Sequence, residues 1–498
     1  MRGLSLITQS NRITYSSTSM KPHLSAALQW LLKGNIHPIS QQRFQHTMVG
    51  KIPKTGSTED ARSEIQFDDY KTVFEFKETP EILRALFVLK LCSFDGLVNN
   101  GEQLMKLSKR LLGNRLYTAL QNKTVYGQFI GGNSLEELMV KVKILRMGGI
   151  GPLLAVPMED DVGEQYDIEQ MERQFDQNMI KTMECLDIVS NLNDKIPMMQ
   201  VKLTALIPGD ICTKLSTSCP NPSEGNKSVI EDIATFFRAD KMPYIPNLTS
   251  TENMQLEAGL NRLKMVFQKG KQKDIWLMVD AEYTYMNPAL NLITLAMMLN
   301  YNHDKPLVAY TYQNYLKGTE ELLKRDIEYI KSHGVAFSAK LVRGAYMDKE
   351  RMLSKKHEYP CPINNCYEDT SDTYHKSLEI LFDETRRNKT KFKTVVASHN
   401  ESTVLHAADR MKEFDIDKQD GSVVFGQVDG MGDQVSYALG RAGYLVYKSV
   451  PYGSIEDTLP YLLRRLLENR SVLNGVRRER ELLRSALKHR LKQKCFPG

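Results

Sequence analysis

Residues 148–156 read GGIGPLLAV. The run PLLAV has the continuous apolar character of a strand buried on both faces, and the glycines stand before it. In a doubly wound dinucleotide fold the glycine cluster follows the first strand, where it lets a pyrophosphate approach the helix N-terminus. Here the order is reversed. That favours a closed barrel, with an open sheet as the competing reading.

Outward from this run the pattern repeats. Short apolar runs follow at MMQVKLTA (198–205), IWLMVDA (275–281), PLVAYTY (306–312), VAFSAKLV (335–342), KTVVAS (393–398), SVVFGQV (422–428) and YLVYKSV (444–450). Longer segments of helical periodicity separate them. Strands alternating with helices imply parallel pairing through crossover helices. Eight such units over about 300 residues predict a (β/α)8 TIM-type barrel with insertions. Before it, from about Tyr70 to Leu145, the spacing is helical, as in TPEILRALFVLKLC. The expected organisation is a leader (1–58), a helical N-terminal region (59–147), the barrel (148–480) and a basic C-terminal tail (481–498). Residues 207–255, with CPNPSEGNKS and PNLTSTEN, read as a loop-like insertion.

The formal charge of +6 belongs to the leader. Arg2, Arg12, Lys21, Lys33, Arg43, Lys51 and Lys54 all precede the first acid, Glu59. Without them acids and bases nearly cancel, so there is no basic body of the kind nucleic acid requires. The leader is rich in Ser, Thr and Gln and contains LSAALQWLLK, which suits an amphipathic helix. It reads as a mitochondrial transit peptide, with a disordered tail of similar makeup as the alternative. No apolar run approaches the roughly 18 residues of a membrane span. The seven cysteines are scattered, without paired C-x-x-C spacing, so free thiols are expected and no metal site.

Polar residues near the ends of buried strands need a reason. Lys202 sits among apolar neighbours in MMQVKLTAL and should meet an anion, unless it snorkels out of the barrel mouth. Asp280 and Glu282 share one strand face and suit either a salt bridge or the orientation of cations. Gln313 ends the fourth run, Lys340 and Arg343 the fifth, with Tyr346 just beyond, and Ser398, His399 and Asn400 the sixth. A last helix opens at Ser454 with Asp457 as an approximate capping box, carries Pro460, and then presents Arg464 and Arg465 near Glu468. The arginines are either a solvated salt-bridged face or a clamp for a carboxylate. No Ser–His–Asp set, metal motif or Walker loop is present. Cations gathered at one barrel mouth favour an anionic small substrate, an anionic cofactor, or both.

VDAEYTY (279–285), TYQNYLK (311–317), AKLVRGAY (339–346), ASHNE (397–401) and YLLRRLLEN (461–469), in this order, resemble the proline dehydrogenase family from roughly Asp69 to Arg480. The resemblance implies a distorted (β/α)8 barrel that binds FAD, oxidises a cyclic imino acid at the N–C5 bond and passes electrons to a quinone. It places the enzyme in peripheral contact with the matrix side of the mitochondrial inner membrane. It implies that Lys202, Arg464 and Arg465 hold the substrate carboxylate while Tyr346 and Tyr461 pack on its ring. Lys340, Gln313, Ser398, His399, Asn400 and Val428 would line the flavin, Arg343 its pyrophosphate and Glu468 its ribose. Asp280 and Glu282 would support these groups, and Glu159 would pair with Arg464 as a gate. Ala155 departs from the pattern, standing where many members carry Asp.

Ser449 occupies the position where ordinary members carry a tyrosine covering C4 of the substrate. A serine leaves room for a 4-hydroxyl and can hydrogen-bond it. This is the pattern of the hydroxyproline dehydrogenase branch, whose expected product is 3-hydroxy-1-pyrroline-5-carboxylate, with lower activity on proline. A proline dehydrogenase giving 1-pyrroline-5-carboxylate is the alternative. A non-redox lyase or aldolase and a non-catalytic binding protein are further readings.

Overall fold

The computed structural model describes residues 65–158, 167–218, 224–241, 245, 247–471 and 473–495. The chain divides into two units, 1–60 and 61–498. The leader therefore lies outside the described residues, as does Glu159.

Eight parallel strands close into a barrel in chain order. They are β1 (Ile150–Ala155), β2 (Met198–Val201), β3 (Trp276–Val279), β4 (Val308–Gln313), β5 (Phe337–Val342), β6 (Phe392–Ala397), β7 (Val423–Val428) and β8 (Val446–Pro451). Every apolar run read from the sequence forms a strand. β2 and β3 are markedly shorter than their runs: β3 ends at Val279, while β2 stops at Val201 and Leu203–Ala205 turns into a 3-10 helix directly after Lys202.

The barrel is plugged by side chains. Leu153, Met198, Trp276, Met278, Ala309, Val395, Val424 and Tyr447 form a separate apolar cluster. Inside the barrel the Trp276 indole Nε1 donates to Ser338 Oγ at 2.9 Å, which satisfies the one polar atom of a fully buried ring. Side chains on a strand alternate faces, so the residues two positions on point the same way. From this plug and Ser338 that rule places Gln200, Asp280, Lys340 and Ser449 in the next layer, together with the smaller Ala155, Thr311, Ala397 and Gly426. The layer above the apolar plug is thus where polar side chains enter the barrel.

The N-terminal region is helical, with helices between Tyr70 and Met147. The segment read as a loop-like insertion is not a loop. It contains helices Gly209–Ser218 and Glu224–Ala239, and Ile211, Leu215, Ile230, Ile233 and Phe237 are buried. Its Pro, Ser and Asn residues drew attention away from an apolar face at helical spacing. The segment read as a basic tail is likewise the second half of a helix, Leu473–Cys495. Leu483 and Ala486 are buried, and Arg490 Nη2 donates to the Phe74 carbonyl at 2.6 Å.

A buried ionic knot ties these parts to the barrel. Lys448 and Lys77 each lie 2.6 Å from a different oxygen of Asp433. Lys448 Nζ also donates to the carbonyls of Val428 and Met431. Glu479, from the last helix, accepts the Gly432 N–H at 3.1 Å. Burial works against the ionised Asp433 carboxyl, but the two ammoniums prevail and hold its pKa well below the usual range. Burial beside that carboxylate pushes Glu479 up to about 7.

Asp433→Ala leaves two ammoniums buried without their counter-ion and is expected to cost about 3–5 kcal/mol in denaturant unfolding. Glu479 titrates the other way. Its folded pKa lies above the unfolded value, so it lowers stability progressively as pH rises from about 4.5 to about 7. Glu479→Gln should gain relative to wild type across that interval, measured by urea midpoints at successive pH values.

Candidate active site

The C-terminal ends of the strands carry the charged groups. Lys340 is buried, and its Nζ donates to Asp280 Oδ1 at 2.6 Å. Lys202 Nζ stands 3.4 Å from Glu282 Oε2, and Thr204 Oγ1 donates to the other oxygen at 2.6 Å. Burial raises the Glu282 pKa, which Lys202 and Thr204 partly offset. Gln313 donates its amide to the Glu282 carbonyl at 3.1 Å and accepts from Asn287 at 3.0 Å. A buried amide held at both ends has one orientation.

After β5 the chain turns at Gly344 with φ 149°, where a Cβ would collide with the Tyr315 ring. The turn brings Tyr346 back over the mouth. Its ring lies 4.4 Å from that of Tyr283, and its hydroxyl accepts from Arg464 Nη1 at 3.3 Å. Burial raises the phenol pKa, so the hydroxyl stays protonated at neutral pH. Arg464 and Arg465 come from helix Ile455–Ser471, whose N-terminus is capped by Ser454 Oγ accepting from the Asp457 N–H at 3.1 Å. The Arg465 guanidinium lies 4.9 Å from the Tyr461 ring centroid. The side chain of Glu468, on the same helix, lies outside the described ones.

Directly after β5, Arg343 rests 4.1 Å from the Tyr367 ring centroid and donates to Ser371 Oγ and the Tyr367 carbonyl. Among the described residues it makes no carboxylate ion pair, and burial depresses its pKa. His399 Nε2 accepts the Val428 N–H at 3.0 Å, so the imidazole is neutral with its proton on Nδ1. Burial first, then the charges of Lys448 and Arg465, push its pKa down to about 3. Ser398 Oγ accepts the Asn400 N–H at 3.1 Å, and Asn400 Oδ1 caps helix Glu401–Glu413 through the Thr403 N–H.

Ser449 is buried and its Oγ donates to Gln200 Oε1 at 2.6 Å. Gln200 was missed in the sequence. The signal was its place two residues before Lys202 on the same strand face. Ala155, the departure from the usual pattern, is in register with Gln200 and with Pro451. This corner of the mouth therefore has Gln200 as its polar group.

A proline dehydrogenase profile matches residues 140–478. The chain belongs to the proline dehydrogenase family. Among its relatives, a protein of Xenopus laevis named hydroxyproline dehydrogenase is 44% identical across 88% of this chain and 92% of that one. The human protein of the same name is 41% identical, covering 85% of this chain and 93% of its own. Human mitochondrial proline dehydrogenase 1 is 30% identical, covering 89% and 92%. The solved structure of proline utilization A from Bdellovibrio bacteriovorus superposes with a TM-score of 0.57 at 20% identity, over 83% of this chain and 40% of that one, and shares the fold.

His399 favours its neutral form in the folded state, so it contributes stability above its ordinary pKa that is lost as pH falls from about 6.5 towards about 3. Its imidazole resonances are expected to show no titration step between about pH 5 and 8 in NMR spectra, where an exposed histidine would.

Proposed function

We propose that this oxidoreductase of the proline dehydrogenase family oxidises 4-hydroxy-L-proline at N–C5 to 3-hydroxy-1-pyrroline-5-carboxylate, in the mitochondrion, with FAD as cofactor and a quinone as acceptor. Proline is the weaker substrate. Members of this family are flavoenzymes, and the residues at the mouth fit such a group. Arg343, partly buried and without a carboxylate ion pair among the described residues, suits a pyrophosphate, and the anchored amide of Gln313 offers the polar edge a flavin ring requires. Lys340, His399, Ser398, Asn400, Val428 and Glu468 complete the proposed cradle.

A bound flavin would supply the two-electron acceptor for the hydrogen at C5, and the substrate nitrogen would give its proton to solvent. The chain supplies position. Lys202, Arg464 and Arg465 would grip the substrate carboxylate, with Tyr346 and Tyr461 against the ring. Fixing the ring against its reaction partner removes much of the entropic barrier. Glu282 holds Lys202 from behind and Asp280 holds Lys340, so neither cation has to reorganise as charge develops. Glu159 would close the mouth by pairing with Arg464.

The observation that carries the substrate preference is Ser449 with its hydroxyl hydrogen already given to Gln200. The serine oxygen retains acceptor capacity for a 4-hydroxyl, and its side chain is smaller than a tyrosine's by a phenol ring. The purified protein should be yellow and should bleach on titration with hydroxyproline and, at higher concentration, with proline. A colourless protein that stays colourless with added FAD would overturn the reading.

Ser449→Tyr is expected to lower kcat/KM for hydroxyproline by about tenfold or more while lowering that for proline much less. Equal losses on both substrates would count against the assignment. Gln200→Leu releases the Ser449 hydroxyl and removes the amide beside it. It should narrow the hydroxyproline-to-proline ratio by about tenfold while the flavin spectrum stays unchanged.

A further inference from the structure

The helical layer before the barrel carries an outer surface that the catalytic reading does not use. Of the twenty-two exposed large hydrophobic side chains among the described residues, ten fall between Leu83 and Leu120. Helix Gly101–Lys123 alone exposes Leu104, Leu107, Leu111, Leu112, Leu116 and Leu120. Leu83, Phe87, Phe94 and Leu97 come from the preceding segment. Scattered exposed leucines are ordinary, but a concentration of this kind marks an interaction surface.

The inner side of the same helix is already occupied. Met105 and Tyr117 belong to one apolar cluster with Tyr461, Leu462 and Leu466 of the helix that carries Arg464 and Arg465. The outer leucines are thus not a second core face waiting for the barrel.

Charge identifies the occupant. Helix Gly101–Lys123 carries Lys106, Lys109, Arg110, Arg115 and Lys123 against a single acid, Glu102. Lys106 is engaged by Glu102 at 2.7 Å and Lys109 by Glu456 at 3.0 Å, while Arg110, Arg115 and Lys123 are exposed beside the leucines. The cores of protein–protein interfaces are depleted in lysine, whereas leucines interleaved with Lys and Arg are the makeup of a helix lying in the headgroup plane of an anionic bilayer. Gly113, at φ 69°, breaks the helix into two segments, each with its own exposed leucines. No helix among the described residues is long and apolar enough to cross a membrane.

We propose that the layer Thr79–Lys123 is the membrane-docking surface of this protein, with helix Gly101–Lys123 seated on anionic lipid headgroups. The proposal gives a location to the peripheral contact that the family resemblance implies. Where the quinone assignment holds, it also sets the arginine-bearing helix one helix away from the lipid in which a quinone dissolves.

Full-length protein is floated with phosphatidylcholine vesicles with and without phosphatidylglycerol. Binding to the anionic vesicles, weakened by added salt, is the expected result. Leu107→Glu/Leu111→Glu/Leu116→Glu should reduce the bound fraction by about tenfold or more, with an unchanged melting temperature and unchanged turnover with a water-soluble dye. Arg110→Glu/Arg115→Glu should weaken only the component gained with phosphatidylglycerol. Wild-type protein that floats with neither vesicle would overturn the proposal. So would binding that survives the triple substitution, which would put the contact elsewhere, the leader included. A dimer in sedimentation velocity that the leucine substitutions dissolve, without vesicle binding, would make this face a self-association surface and also overturn it. Flotation requires no turnover, so this result and the substrate assignment fail or stand separately.

Discussion

The two-residue alternation of the barrel strands is the constraint on which the rest of the structure depends. On β8 it sends Lys448 outward and Ser449 inward. Outward, Lys448 is fully buried against Asp433, which also binds Lys77 from the N-terminal layer. Inward, Ser449 joins Gln200 above the apolar plug. A shift of one residue in this strand would bury an ammonium among Trp276, Met278 and Val424 and remove the hydroxyl from the mouth. Both outcomes are costly, so the register is strongly specified.

The ionic knot around Asp433 does more than hold helices. Lys448 also bonds the carbonyls of Val428 and Met431, and Glu479 bonds the N–H of Gly432. Gly432 adopts φ 57°, and a Cβ there would meet the His399 ring at 2.9 Å. The loop after β7 is thereby fixed from three directions, and His399 is fixed with it. The neutral imidazole follows from burial first and then from the surrounding positive charge. At the mouth itself, Lys202 and Lys340 are matched by Glu282 and Asp280, whereas Arg343 forms no carboxylate ion pair among the described residues. That asymmetry distinguishes groups already satisfied by the protein from one with capacity for an anion.

The sequence by itself determined the eight strands and favoured their closure into a barrel. The apolar runs are short and separated by helical stretches, and strands buried on both faces leave little freedom in composition. It also determined which residues stand at strand ends, because position in a run is visible without coordinates. The linked motifs from VDAEYTY to YLLRRLLEN were enough to point to the family. Lys202, Asp280, Glu282, Gln313 and Lys340 were legible as site candidates for that reason, whereas Tyr346 and Arg464 stand in the linked motifs away from strand ends.

Tertiary structure alone decided the pairings. That Lys340 meets Asp280, 60 positions away, and Ser449 meets Gln200, 249 away, follows from barrel closure, which brings distant strand ends to one rim. Gln200 was passed over because a glutamine in a strand carries no charge to explain, and its value appears only when a partner faces it. The helices of 207–255 and 473–495 were hidden by polar composition, since their stability comes from apolar faces laid on elements the sequence does not place beside them. The exposed leucines before the barrel are apolar residues at helical spacing in either view. Only packing distinguishes the face that meets the arginine-bearing helix from the face left outside.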